Sequence, residues 1–177
     1  MTLMPVMARD VLAGGPQTMG SLMASTGLGA LTAALIMAAR PKAAGLEFWP
    51  TRFAIPLGIF LVLFALSRDL TLSIALQAPI GFCFLASVGG TNTLLQSHVP
   101  DMLRGRVMSV HAFCLLGLAP FGALGAGALA HATDAPTTIA FCGAALFVVC
   151  AVMDRTRAIS SYPPPVTLEK AGTKIGA

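Results

Sequence analysis

The sequence predicts an all-α, polytopic membrane helical bundle with five full transmembrane helices and one truncated helix. Of the 177 residues, 56% are hydrophobic and only 10% are charged, against roughly 25% charged in an ordinary soluble domain. The apolar residues form stretches close to the roughly 20 residues that cross a ~30 Å hydrocarbon core, and charged residues separate the stretches. A soluble chain of this length could not bury so much apolar surface, so the bilayer is the expected partner.

The membrane domain is predicted to cover residues 1–153. A helix stub with its loop comes first, because eight apolar residues, Met1–Ala8, give only about 12 Å of helix. The five full spans are predicted at about 18–39, 50–67, 70–95, 107–130 and 136–153, after a stub and loop at 1–13. A disordered cytoplasmic tail is predicted at 154–177, which contains three consecutive prolines.

Local chemistry sets the limits of each span. A Gly-Gly-Pro-Gln turn at 14–17 precedes span one. Trp49 at the start of span two is typical of an interfacial anchor, and the core of this span lacks polar side chains. Span three contains Pro79 and several glycines, which predict a kink or a break. A polar loop at 96–106 is expected before span four.

The basic residues predict the orientation of the chain. Alternating spans place nine on one side and two on the other, which together make the 11 Lys and Arg. The larger set is Arg40, Lys42, Arg52, Arg104, Arg106, Arg155, Arg157, Lys170 and Lys174, and the smaller is Arg9 and Arg68. Positive loops stay inside, so we expect a multi-pass protein of the cell inner (plasma) membrane with its C-terminus in the cytoplasm.

Polar side chains recur at helical spacing in spans one and three, which favours a role for these spans in lining an interior. The candidate substrate-contacting residues are Ser25, Gln77, Thr91 and Asn92. The alternative is helix packing, because Ser and Thr in membrane helices bond their own backbone or a neighbouring helix. Spans two and five lack such a stripe, so lipid contact nearly all round is expected for them. The glycines of span four predict tight packing.

Several kinds of chemistry lack a signal in the sequence. Apart from Arg52 at the edge of span two, no acidic or basic residue lies inside a predicted span, and no catalytic constellation, metal cluster or phosphate-binding loop is evident. His98 and His111 faintly suggest haem ligands, but Pro100 and Gly105 separate them. The four cysteines lie in apolar segments as small hydrophobes. We therefore expect no enzyme, no cofactor, no metal and no nucleic-acid partner.

One loop carries a resemblance to a known family. The run from Asn92 to Gln96, then Val99-Pro100-Asp101, then Arg104-Gly105-Arg106-Val107-Met108-Ser109 resembles the major facilitator superfamily, above all its bacterial drug- and siderophore-exporter branch. Residues 3–12 are similar to the end of that family's helix seven, and residues 120–130 to its helix eleven.

The resemblance implies that the chain is the C-terminal half of such a transporter, with the stub and spans as helices seven to twelve. It places the stub and spans one, three and four around the substrate cavity, and spans two and five outside. It also implies that Asp101, Arg104 and Arg106 help to close the cytoplasmic side, although a plain topological anchor explains them equally well. Asp101 is expected just before a helical restart, where its carboxylate can accept backbone N–H bonds.

The expected function is secondary active export of small drug-like or siderophore molecules by alternating access, with this chain inactive on its own. Its partners would then be a small-molecule substrate and a missing N-terminal half or a second chain. The alternative is a small membrane scaffold or assembly protein, or a half-transporter that a second chain completes.

Overall fold

The computed structural model describes residues 4–11, 14–39 and 49–159, and the described chain is helical apart from short connections. In chain order the elements are α1 Met4–Val6, a π-helical turn Met7–Val11, α2 Pro16–Ala38, α3 Trp49–Leu66, α4 Leu70–His98, α5 Asp101–Ala112, a π-helical turn Phe113–Gly117, α6 Ala119–Ala132 and α7 Ala135–Ile159. Here α1 and the turn after it form the stub, and residues 101–132 form the fourth span.

Among the described residues, five segments are long and apolar enough to cross a membrane, which confirms the all-α, polytopic bundle. They are Pro16–Ala38, Trp49–Leu66, Leu70–His98, Asp101–Ala132 and Ala135–Thr156. Residues 40–48, which connect spans one and two, and the tail from residue 160 lie outside the described residues. Helix α7 extends to Ile159, so residues 154–159 are helical and the prediction of disorder from 154 is wrong there. No proline interrupts this stretch.

The connection between α3 and α4 is held by short polar side chains. The carboxylate of Asp69 caps α4 by accepting the Thr71 backbone N–H at 3.0 Å. The buried Ser73 hydroxyl donates to the Ser67 hydroxyl at 3.0 Å, and Ser67 donates to the Asp69 carbonyl oxygen at 3.2 Å. These bonds satisfy polar groups at the chain reversal and fix how α3 leads into α4.

The sequence predicts a kink or a break in span three. Helix α4 continues without interruption through Pro79, so there is no break in this helix. An interruption occurs instead in the fourth span, where the π-helical turn at Phe113–Gly117 precedes Pro120. A proline inside a helix removes one backbone donor and crowds the carbonyl four residues earlier. The wider turn just before Pro120 accommodates the lost backbone hydrogen bond, and the fourth span therefore consists of two helical segments, α5 and α6.

The predicted loop at 96–106 is mostly helical. Helix α4 runs to His98, and α5 starts at Asp101 immediately after Pro100. The Pro100 carbonyl oxygen accepts the Leu103 N–H at 2.9 Å and the Arg104 N–H at 3.0 Å, which starts the new helix. Asp101 is thus the first helical residue rather than the residue before it, because proline with its extended backbone takes the capping position.

Packing in the bundle follows one order. Helix α2 lies against α4, α4 lies against α3, and α3 lies against α7. The stub packs into the main core through Met4, Met7 and Ala8. The fourth span differs, because none of its residues is buried against the other described residues. Span two does not contact lipid all round: its helix lies between two neighbours and buries Leu57 and Phe64.

Glycines allow two of these helix pairs to approach closely. A Cβ atom on Gly29 of α2 would overlap the Ala78 carbonyl oxygen, and one on Gly81 of α4 would overlap the Thr26 carbonyl oxygen. At the α3–α7 crossing, a Cβ atom on Gly58 would lie 2.7 Å from the Gly143 carbonyl oxygen. Small residues thus let backbones touch, which is how helices without a hydrophobic driving force associate in lipid.

The glycines of span four are predicted to pack tightly, but among the described residues they contact no other helix. A Cβ atom on Gly122, Gly125 or Gly127 would meet nothing within 4 Å, and one on Gly117 would meet only the Phe113 ring of the same span. Composition alone does not distinguish a glycine at a helix crossing from a glycine on a face without a neighbour.

Candidate binding cavity

A cavity of about 690 Å³ lies between the packed helices and the fourth span. Its walls come from the stub, α2, α3, α4, the fourth span and α7. The lining side chains are mainly apolar: Met4, Thr26, Leu61, Phe64, Gln77, Ile80, Leu116, Ala119, Pro120, Gly122, Ala123, Ala126, Ile139 and Cys142. The volume falls in the range of roughly 300–1,000 Å³ that is typical of small-molecule pockets.

The polar part of the lining is one pair of side chains, Thr26 on α2 and Gln77 on α4. The Thr26 hydroxyl lies 2.9 Å from the Leu22 carbonyl oxygen and 3.0 Å from Oε1 of Gln77. Only 4% of Gln77 is exposed, so its amide is held in a largely apolar environment. A hydrogen bond between membrane helices contributes about 0.6–2 kcal/mol, and this one joins α2 to α4 beside the cavity.

The candidate Ser25 lies one residue before Thr26 but serves a different contact. Its hydroxyl donates to the Ile74 carbonyl oxygen at 2.6 Å, which joins α2 to α4. Ser25 is buried at this helix interface and is not part of the cavity lining. The structure therefore brings Ser25 and Gln77 to the same pair of helices and places only Gln77 in the cavity.

Thr91 and Asn92 lie farther along α4, about 21 Å from Gln77 at 1.5 Å per residue. The Thr91 hydroxyl donates to the Ser87 carbonyl oxygen of its own helix at 2.9 Å. Asn92 is half-buried, and neither residue lines the cavity. The polar stripe of α4 thus contributes mostly to packing, since Ser87 also donates to the Pro50 carbonyl oxygen of α3 at 3.2 Å.

The three candidate gating residues lie together on the first turns of α5. A guanidinium nitrogen of Arg104 lies 2.6 Å from a carboxylate oxygen of Asp101, in an ion pair spaced i,i+3. Arg106 is exposed on the same helix. The Asp101 carboxylate is 86% exposed, and an ion pair in water contributes at most about 1 kcal/mol. The pair neutralises one of the positive charges at this helix start and adds little to stability.

Two features of the cavity differ from the sequence-based expectation. Spans two and five also line it, through Leu61 and Phe64 on α3 and Ile139 and Cys142 on α7. This cavity therefore lies inside the five-helix bundle rather than on the face that the resemblance assigns to the stub and spans one, three and four. Thr26 is not among the predicted candidates, because the polar stripe of span one passes through Ser25, and Thr26 lies about 100° away from Ser25 around the helix.

The arrangement supports binding by shape and apolar contact, with one hydrogen-bonding position. No charged side chain is among the described residues of the lining. Over the described part of the chain, no group of three or more His, Cys, Asp or Glu residues is placed to hold a metal ion. A ligand of this cavity would be held by apolar walls and oriented by the Thr26–Gln77 pair.

Comparison with known proteins identifies one family. The sequence profile of a family described as transmembrane secretion effector matches residues 1–161. No curated protein and no solved structure gives a significant match.

Proposed function

Because the chain belongs to the transmembrane secretion effector family, of the major facilitator type, we propose that it forms the C-terminal half of a secondary active exporter. The complete transporter moves small, mainly apolar molecules such as drugs or siderophores out of the cell by alternating access. The chain is not an enzyme and does not transport alone. Its C-terminus and its arginine-rich helix ends lie on the cytoplasmic side of the cell inner membrane.

The observation that carries this proposal is the cavity of about 690 Å³. The space is partly open rather than an enclosed void, so a ligand can reach it. Six elements line the space, and a buried amide lies on its wall. Polar groups at membrane depth are costly and mark substrate pathways in transporters.

The fourth span supports the need for a second half. Its two helical segments expose large apolar side chains, including Phe121 and Leu124, each 72% exposed. Gly125 and Gly127, which do not line the cavity, leave room for close approach by another helix, since an added Cβ atom would meet nothing within 4 Å. We propose that a missing N-terminal half or a second chain packs there and completes the transport pathway.

The orientation of the described arginines supports the proposed topology. By helix order, Arg52, Arg104, Arg106 and Arg155 lie at one set of helix ends. Arg9 and Arg68 belong to the opposite set. Helix ends richer in arginine stay in the cytoplasm, and α7 ends on that side.

Replacing Gln77 with alanine in the complete transporter is expected to lower export about 10-fold, because the hydrogen bond to substrate is lost. Thr91→Ala is the matched control, since that hydroxyl bonds its own helix, and export should change less than about 2-fold. The measurement is drug efflux and resistance in cells that lack other exporters, at equal protein level. Unchanged export in both variants would remove Gln77 from the substrate path.

A further inference from the structure

We propose that the cavity binds an uncharged, mainly apolar molecule with one hydrogen-bond acceptor, and that this acceptor receives a hydrogen bond from the NH₂ group of Gln77. The inference rests on the proposed function, since it names the chemical class of substrate that the exporter carries. It adds the group, among the described lining residues, that orients the molecule.

The hydrogen bonding of the Gln77 amide leads to this assignment. A glutamine side chain has one acceptor oxygen and an NH₂ group with two donors. The oxygen accepts the single hydrogen of the Thr26 hydroxyl at 3.0 Å, in competition with the Leu22 carbonyl oxygen at 2.9 Å. The NH₂ group has no partner among the described residues, and no side-chain nitrogen or oxygen there is both fully buried and unpaired. The NH₂ group is therefore open to the cavity that Gln77 lines.

The apolar lining residues determine which groups surround the acceptor atom of the bound molecule. Leu61, Phe64 and Ile80 face the same space, and the fourth span adds Leu116 and small residues. A charged ligand would find no opposite charge among the described lining residues, and burying an unpaired charge is far more costly than burying a neutral polar group. Neutral molecules with one ketone, ester or amide oxygen and a large apolar body fit these walls.

Two cysteines give a probe of this site with a built-in control. Cys142 of α7 lines the cavity, whereas Cys114 is exposed on the fourth span and is not part of the lining. Variants that keep only Cys142 or only Cys114 would report occupancy of the cavity and of an outside surface. The reagent is a small uncharged methanethiosulfonate, and the sample is the whole chain in lipid nanodiscs.

The ligand probes are 1-acetylpyrene and 1-ethylpyrene, which have nearly the same shape and differ in one carbonyl oxygen. We expect 1-acetylpyrene to protect Cys142 at about 10-fold lower concentration than 1-ethylpyrene and to leave Cys114 unprotected. Gln77→Leu should raise the protecting concentration of 1-acetylpyrene about 10-fold and leave that of 1-ethylpyrene unchanged. Protection by 1-ethylpyrene in this variant shows that the cavity has survived the substitution.

Equal protection of Cys142 by the two probes would overturn the inference and indicate an apolar recess that any lipid chain can fill. Equal protection of Cys114 and Cys142 would overturn it as well, because that reports partition into the bilayer. If Gln77→Leu does not fold, the comparison of the two probes on the unsubstituted chain still decides. If Cys142 is selectively protected but the complete transporter does not export, the proposed function is refuted and the binding site stands. If the transporter exports but Cys142 is not selectively protected, the binding site is refuted.

Discussion

Replacing Gly29 with valine is expected to separate α2 from α4 and to destabilise the bundle strongly. The Cβ atom of any residue at this position would overlap the Ala78 carbonyl oxygen, and a backbone carbonyl in a helix cannot move aside as a side chain can. Overpacking a core costs about 1–3 kcal/mol, and a clash with backbone costs at least the upper value. The midpoint of thermal unfolding in detergent should fall by roughly 6–12 °C.

Gly27→Val is the matched control on the same helix. A Cβ atom at Gly27 would meet nothing within 4 Å, so the thermal midpoint should shift by less than about 2 °C. The separation of α2 from α4 would also break the Thr26–Gln77 contact and open the cavity wall. Equal effects of the two substitutions, measured by circular dichroism during heating, would contradict the close crossing of α2 and α4.

The second large effect is expected when the cavity is filled. Ala123 of α6 lines the cavity, so a tryptophan there occupies space that the substrate needs. We expect Ala123→Trp to reduce export by the complete transporter more than about 10-fold, while the protein still folds because the space is empty of other side chains. Drug efflux, measured at equal protein level, checks this result.

Ala144→Trp is the control for that substitution. Ala144 of α7 is exposed, is not part of the lining, and lies outside the fourth-span face that we propose as the contact with a second half. Export by this variant should remain within about 3-fold of the unsubstituted transporter. Equal export by the two variants would show that the substrate does not pass through this cavity.

The sequence was sufficient to predict the class of fold because lipid imposes a simple rule on it. Backbone groups in a bilayer are satisfied within helices, and each crossing needs a long apolar stretch. The five such stretches of this chain are the five spanning helices. Span limits were less certain where polar residues continue a helix, as at α7, where the charged residues after Met153 remain helical.

Helix neighbours could not be predicted from the sequence, and the glycines show why. Gly29 and Gly27 are the same residue type in nearly the same sequence context. Of the two, only Gly29 is a position where an added Cβ atom would overlap another backbone. In lipid, an apolar face that contacts a helix looks the same as one that contacts acyl chains. For this reason the helix of span two, which has no polar stripe, was expected to face lipid although it packs between α4 and α7.

The candidate site was predicted in part. Gln77 was selected because a buried amide in a membrane helix requires a partner, and the structure supplies Thr26 as that partner. Thr26 itself was missed, since a threonine that bonds its own helix has no distinctive sequence pattern. Thr91 shared the polar stripe with Gln77, but its hydroxyl is satisfied within α4. Periodicity identifies a face of a helix, and only the packing shows which part of that face reaches a cavity.

Flux through the purified chain in lipid vesicles tests most directly whether the chain is one half of an exporter. The 177-residue chain is reconstituted alone and together with the polypeptide encoded immediately upstream of it, and uptake of a neutral lipophilic dye is driven by a proton or sodium gradient. We expect no gradient-driven flux from the chain alone and clear flux from the combined halves. Gradient-driven flux from the chain alone would contradict the claim that it is one half of an exporter.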